Sequence, residues 1–159
     1  MDLEVTTAPA ESKQVIKNLM QFYKYDFSEF IDCNPEEDGL FAAYPNLENY
    51  WNEKNNKFPY IIKKDGQYIG FALVSYIESG ERNYFSIAEF FIMRKNRRKG
   101  VGRDVARYIF NLHKGPWEVY QKESNKPAQL FWNKVIREYS NGQFSERLEQ
   151  GRLIQDFES

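Results

Sequence analysis

Two features of the 159-residue chain have residue types and spacing that could do chemistry. The first is Arg94-Lys95-Asn96-Arg97-Arg98-Lys99-Gly100-Val101-Gly102-Arg103-Asp104, where five of the first six residues are basic and two glycines follow one residue apart. It joins a run of strand character to a run of helical periodicity. Glycines clear side chains from the backbone, so an anion can approach it closely. The first amides of a helix have no intrahelical partner and face such an anion with the positive end of the dipole behind them. Arg97, Arg98, Lys99 and Arg103 add counter-charge. The ligand suited to this turn is a phosphate or pyrophosphate. The second feature is Glu89, the sole charged residue of Asn83-Tyr-Phe-Ser-Ile-Ala-Glu-Phe-Phe-Ile-Met93. Desolvation on an apolar strand face raises a carboxyl pKa toward neutrality and makes Glu89 a candidate base. The alternative is a structural carboxylate paired with a nearby Lys or Arg.

Two familiar phosphate loops fit poorly. A Walker loop has four residues between its glycines and ends in Gly-Lys-Ser/Thr, whereas one residue separates Gly100 from Gly102 and no such ending follows. A dinucleotide fingerprint needs a third small residue at position 105, where Val105 stands, and a βαβ context that the preceding antiparallel run does not provide. Nucleic acid is also disfavoured. The 22 Lys and Arg are balanced by 23 Asp and Glu for a net charge of -1, and no second basic stripe interleaved with aromatics accompanies the first.

The elements that must position these residues follow from periodicity and punctuation. Leu3-Glu-Val-Thr-Thr7 reads as a first strand. A helix follows from Pro9 to Tyr25, with Val15, Ile16, Leu19, Phe22 and Tyr23 at helical spacing. Residues 26–56 are irregular, with room for a short helix. Phe58 to Ile77 reads as a hairpin turning on Asp65-Gly66. The strand that carries Glu89 has two mainly apolar faces, Phe85, Ile87, Glu89, Phe91 and Met93 against Tyr84, Ser86, Ala88, Phe90 and Ile92, and is therefore central. Val101, Val105, Ile109 and Leu112 form the stripe of a helix that stops at Gly115. A strand at 117–122 precedes a helix with Ala128, Phe131, Val135 and Tyr139 on one face, ended by Asn141-Gly142. Residues 143–157 form a last hairpin. The expected fold class is α+β, sandwich-like: a mixed, mainly antiparallel sheet of about six or seven strands flanked by about four helices, as one domain over residues 1–159.

Bulk properties set further limits. Cys33 is the only cysteine and His113 the only histidine, so neither an intrachain disulfide nor a zinc site of the Cys/His kind is expected, and no metal is called for. The acidic N-terminus is unlike a secretory signal, and no apolar run approaches the ~20 residues of a membrane span. The expected setting is reducing and cytoplasmic. His113 reads as a surface residue favouring a helix C-terminus, and Cys33 as a bystander.

The motif Arg97-Arg98-Lys99-Gly100-Val101-Gly102 resembles the pyrophosphate loop of the GNAT acetyltransferase superfamily, Gln/Arg-x-x-Gly-x-Gly/Ala. A second GNAT-like motif, Asn-x-x-Ala-x-x-aromatic-aromatic, stands as Asn125-Lys-Pro-Ala128-Gln-Leu-Phe131-Trp132. The strand order is similar too, over about residues 58–139. The resemblance implies a GNAT fold in which acetyl-CoA lies between the central strand and the strand at 117–122. The amides of about residues 98–103 would bind its pyrophosphate. Backbone groups of Phe90 and Ile92 would pair with its pantetheine arm, and Asn125 would hydrogen-bond that arm.

The resemblance further implies acetyl transfer directly to an amine, of a small molecule or a peptide, by a monomer or homodimer. Many GNAT enzymes place a proton-donating Tyr on the last large helix; Trp132 occupies that position and cannot serve. Tyr120 lies on the neighbouring strand and Tyr139 two turns on. Glu89 is the candidate base, and a water held by Ser86 is a second option. The segment at Tyr23, Tyr25, Asp26 and Phe27 would wall the acceptor site, holding a cationic amine or packing as core. Trp132 also leaves open a GNAT domain that binds acyl-CoA without turning it over.

Overall fold

The structure, a computed structural model, describes residues 2–159. Seven strands form one open sheet in the order β1 (Leu3–Thr7), β2 (Lys57–Lys64), β3 (Gln67–Glu78), β4 (Asn83–Ile92), β5 (Pro116–Lys122), β7 (Arg152–Glu158), β6 (Phe144–Glu149). Every neighbouring pair is antiparallel except β4 and β5. The helices are α1 (Lys13–Phe27), α2 (Asn49–Asn52), α3 (Val101–Leu112) and α4 (Lys126–Ser140). Among the described residues no helix is long and apolar enough to cross a membrane.

Strand alternation sends neighbouring side chains to opposite faces. Ile61, Phe71 and Phe91 join Ile16, Leu19 and Met20 of α1 under one face. Ile62, Ala72 and Ile92 join Val105, Ile109 and Ile136 of α3 and α4 under the other. The β2–β3 turn has Asp65 at φ 49° and Gly66 at φ 79°, the left-handed pair that matches hairpin twist. Pro9 precedes a single 3-10 turn, Ala10–Ser12, and α1 starts after it. The stop of α4 is as its sequence suggests: Asn141 takes φ 53° and the Gly142 amide donates to the Arg137 carbonyl at 2.9 Å.

Three stripes differ from the sequence reading. In α1, Met20 is buried and Phe22 is 54% exposed. Phe22 lies about 120° round the helix from Ile16, whereas Met20 and Tyr23 lie within about 40° of it. In α3, Ala106 and Phe110 are buried, and Leu112, the last residue of the helix, is exposed. In α4, Trp132 and Ile136 join Val135 in the core.

Candidate active site

The site begins where β4 parts from β5. Only Phe85 and Trp117 pair across that boundary. The fully buried Trp117 stitches the lower end, its Nε1 donating to the His113 carbonyl at 2.9 Å. Beyond that pair β4 has no partner on this side. The Met93 amide donates to Ile69 in β3 at 2.7 Å, so alternation turns the backbone groups of Ile92 and Phe90 toward the gap. A bulge at Ala88 makes the bend: Leu73 pairs with Glu89 and Val74 with Ile87, leaving Ala88 unopposed. The bulge also breaks the simple alternation of β4. Phe85 and Ile87 belong to the α3/α4 layer, whereas Phe91 and Met93 belong to the α1 layer. Glu89, two residues before Phe91, is thereby delivered to the α1 side.

At the other end of the gap the chain makes a 3-10 turn at Arg94–Asn96 and enters α3 through two left-handed residues, Arg98 at φ 62° and Gly100 at φ 80°. Asp104 donates the first backbone bond of α3, to the Gly100 carbonyl at 3.0 Å. The amides from Arg98 to Arg103 have no protein acceptor among the described residues. They form a continuous set of free donors at a helix start. Gly102 has a separate reason to be glycine, because a Cβ there would stand 3.1 Å from the Phe131 ring of α4.

The expected side-chain roles need correction. Arg97 is spent on the protein: its Nε donates to the Ile92 carbonyl at 2.6 Å and its guanidinium pairs with Asp26. Asp26 also binds Arg94 at 2.6 Å. The Ile92 carbonyl is therefore engaged, and what this residue offers the gap is its amide. Lys99 is exposed and lines neither of the two cavities of this region, and the Val101 side chain is wholly buried, so each offers an amide alone. Arg97 still lines the larger cavity beside Arg98 and Arg103, the last paired with Asp104 at 3.1 Å, and Lys134 of α4, which sequence reasoning missed, joins them. A cation about two turns into another helix gives no local signal.

Two cavities meet here. One of about 690 Å³ runs from the free amides along Phe90 to Ile92 to the start of α4. The other, about 380 Å³, is lined by Glu89, Tyr44, Tyr120 and Lys24. Tyr23, Phe27, Phe90, Asn125, Ala128 and Trp132 line both and mark the junction. Asn125 caps α4, its Oδ1 accepting from the Ala128 amide at 3.2 Å, and its Nδ2 has no protein partner among the described residues. Trp132 is 6% exposed and packs edge-on against Phe90 and Phe131, at 5.0 and 4.9 Å between centroids.

Glu89 is held by a hydroxyl and makes no ion pair among the described residues. Tyr23 of α1 donates to its Oε2, and Tyr44 lines the same cavity. Burial raises the Glu89 pKa; the two hydroxyls and Lys24 pull it back without cancelling that effect. Burial and the neighbouring Glu89 charge push the Tyr23 and Tyr44 phenols up. A tyrosine some 45 residues upstream in an irregular segment carried no local sign of this role.

Other candidates are not gathered. Ser86 is buried and lines neither cavity, and Tyr139 donates to Asn111 at 2.8 Å away from both. Tyr25 is 66% exposed, outside both cavities. The Asp26 charge is used by Arg94 and Arg97. Cys33 lines the Glu89 cavity. His113 is no surface residue: it lies among Phe58, Phe85 and Trp117, with its Nε2 2.6 Å from the Tyr60 hydroxyl, because the α3 C-terminus docks on the sheet rather than ending in water.

The sequence matches the acetyltransferase (GNAT) family over residues 18–136. No curated protein sequence matches it. Among solved structures, a GNAT-family acetyltransferase from Streptococcus agalactiae is similar at 14% identity and TM-score 0.70, over 99% of this chain and 95% of that one. The PaiA N-acetyltransferase from Thermoplasma acidophilum, solved in complex with coenzyme A, is similar at 12% identity and TM-score 0.63 over 100% of both chains. The ribosomal-protein-S18-alanine N-acetyltransferase from Escherichia coli is similar at 9% identity and TM-score 0.64, over 99% and 94%. At these identities the likeness is one of fold.

Proposed function

The chain belongs to the acetyltransferase (GNAT) family, and from that premise we propose that it is an N-acetyltransferase, moving an acetyl group from acetyl-CoA directly to a primary amine of a small molecule or peptide. The observation that carries this reading is the run of free amides from Arg98 to Arg103, opening on a cavity whose inner end meets Glu89. A pyrophosphate accepts from those amides, with Arg98, Arg103 and Lys134 as counter-charge. The Phe90 backbone groups and the Ile92 amide, unpartnered where β5 splays away, take the pantetheine arm as another strand, and Asn125 Nδ2 bonds it from α4.

The thioester then lies at the junction, and the amine enters through the smaller cavity. An alkylamine is protonated in neutral water and gives that first proton to solvent before it attacks. Glu89, buried and raised in pKa, takes the second proton, which the nitrogen sheds as the C–N bond forms. Attack forms the C–N bond, and the C–S electron pair leaves on sulfur. The neighbour from T. acidophilum, solved with coenzyme A, and the E. coli enzyme, which acts on a protein alanine, agree in kind with this donor and with an amine acceptor.

CoA release measured over polyamines, amino acids, aminoglycosides and peptides tests the reading. Turnover on one class establishes the reaction and the acceptor. Trp132 favours a second reading, a domain that holds acyl-CoA without catalysis; tight acetyl-CoA binding with no amine acetylated would select it.

A further inference from the structure

Trp132 leaves the departing thiolate without its usual kind of proton donor, and four tyrosine hydroxyls are candidates for the work. Tyr139 is turned away to Asn111. Tyr44 and Tyr120 line the Glu89 cavity alone. Tyr23 alone among them lines both cavities, and its hydroxyl is already bonded to Glu89. We propose that Tyr23 is the catalytic acid, giving its proton to the CoA sulfur and recovering it from Glu89, so that one hydrogen bond links the proton lost by the amine to the proton gained by the thiol. The proposal rests on Glu89 as base.

The steps balance. The amine N–H proton goes to Glu89 as the C–N bond forms and the C–S bond breaks. Glu89, now an acid, reverses the hydrogen bond and donates to the Tyr23 oxygen. The Tyr23 O–H, released from its carboxylate acceptor, turns to the sulfur and protonates it. Transfer of the Glu89 proton to the Tyr23 oxygen restores both groups. No further reactant is consumed.

The electrostatics follow the same order. While Glu89 is charged, its field and its hydrogen bond both make Tyr23 a weaker acid than burial alone would. Both influences disappear when Glu89 receives the amine proton. The phenol therefore becomes more acidic at the moment a thiolate appears beside it. Tyr23 is fixed for this by its ring, which packs against Phe27, Phe71 and Phe91 at 5.7, 5.8 and 6.0 Å. Tyr44, Tyr50, Tyr120, Lys24, Cys33 and Lys122 are the other titratable groups around Glu89.

The test needs no acceptor. CoA bound to Glu89→Gln, in which no carboxylate holds the Tyr23 hydroxyl, and to the Glu89→Gln/Tyr23→Phe double variant is titrated by the ultraviolet absorbance of its thiolate. Phenylalanine keeps the three ring contacts, so the fold is retained. A hydroxyl that donates to sulfur stabilises the thiolate, and its loss should raise the pKa of the bound thiol by about one unit, a tenfold loss of thiolate at fixed pH. A Tyr23 that only steadied Glu89 would give no rise, because no charge at position 89 remains to steady. A bound thiol that titrates identically, or lower, in the double variant overturns the relay and leaves the acetyltransferase reading standing. Failure of the wild type to bind CoA overturns that reading and the relay with it. Full turnover in Glu89→Gln, on any amine that the wild type acetylates, removes the base and hence the relay.

Discussion

Gly102, in the first turn of α3, lies directly beneath the ring of Phe131 in α4, where a Cβ would stand 3.1 Å from two ring carbons. Phe131 is also a wall of the larger cavity. One glycine thus serves two surfaces: its amide is one of the free donors at the start of α3, and its missing side chain lets α4 close over it.

Substitutions at position 102 separate these roles. Gly102→Ala gains about 1 kcal/mol of helix propensity and loses a comparable amount by pressing on Phe131, so the melting temperature should hardly move. The displaced ring narrows the cavity, and acetyl-CoA affinity should fall roughly three- to tenfold by calorimetry. Gly102→Asp adds a negative charge against the pyrophosphate and should cost on the order of a hundredfold. Unchanged affinity in both variants would remove the loop from cofactor binding.

Glu89 carries a pH signature. Its pKa is raised in the folded chain by burial. As a base it works deprotonated, so kcat/KM should climb with pH through a limb above the ordinary carboxylate range. Glu89→Gln should lower kcat by about 10²–10⁴ and abolish that limb. Stability runs the other way. A raised carboxyl binds more protons folded than unfolded, so its contribution is full below the unfolded pKa and is lost as pH rises through the folded one. Glu89→Gln should therefore melt higher than wild type at neutral pH, with the difference shrinking toward acid. Thermal scans across pH check the sign.

Much of this arrangement was written locally. Asp65-Gly66 announced its hairpin, Asn141-Gly142 its helix stop and Gly100-Val101-Gly102 its turn of free amides, because each depends on the φ values or hydrogen bonds of a few adjacent residues. What was hidden depends on contacts far apart in sequence. The bulge at Ala88 moves Phe85 and Ile87 to the opposite layer from Phe91, and no residue in the strand marks it. Arg97 looked like counter-charge for a ligand until Asp26 arrived from α1. Glu89 was visible as an anomaly, but its neighbours Tyr23 and Tyr44 come from a helix and an irregular segment.

His113 shows the same limit and makes its own prediction. Packed under Phe58 and Phe85, it is harder to protonate than free histidine, and burial pushes its partner Tyr60 up to about 12. A histidine with a depressed folded pKa contributes stability that is present above the unfolded pKa of about 6.5 and lost as pH falls through the lower folded value. The melting temperature should drop below that range more steeply in wild type than in His113→Gln, which cannot charge. Parallel acid limbs in the two proteins would place the loss elsewhere.

Asn125 is both a cap and a free donor, and the two uses can be pulled apart. Its Oδ1 accepts from the Ala128 amide, whereas Nδ2 has no protein partner among the described residues and lies at the junction of the cavities. Asn125→Ala loses both and should cost about 1 kcal/mol of stability together with cofactor affinity. Asn125→Ser restores a capping oxygen on a shorter side chain, so stability should return to within a few tenths of a kcal/mol. The reach of the amide does not return, and acetyl-CoA binding should stay several-fold weak, by roughly the 1 kcal/mol of one neutral hydrogen bond. If serine restored affinity along with stability, Asn125 would serve the helix alone, and the pantetheine arm would be held only by the backbone of β4.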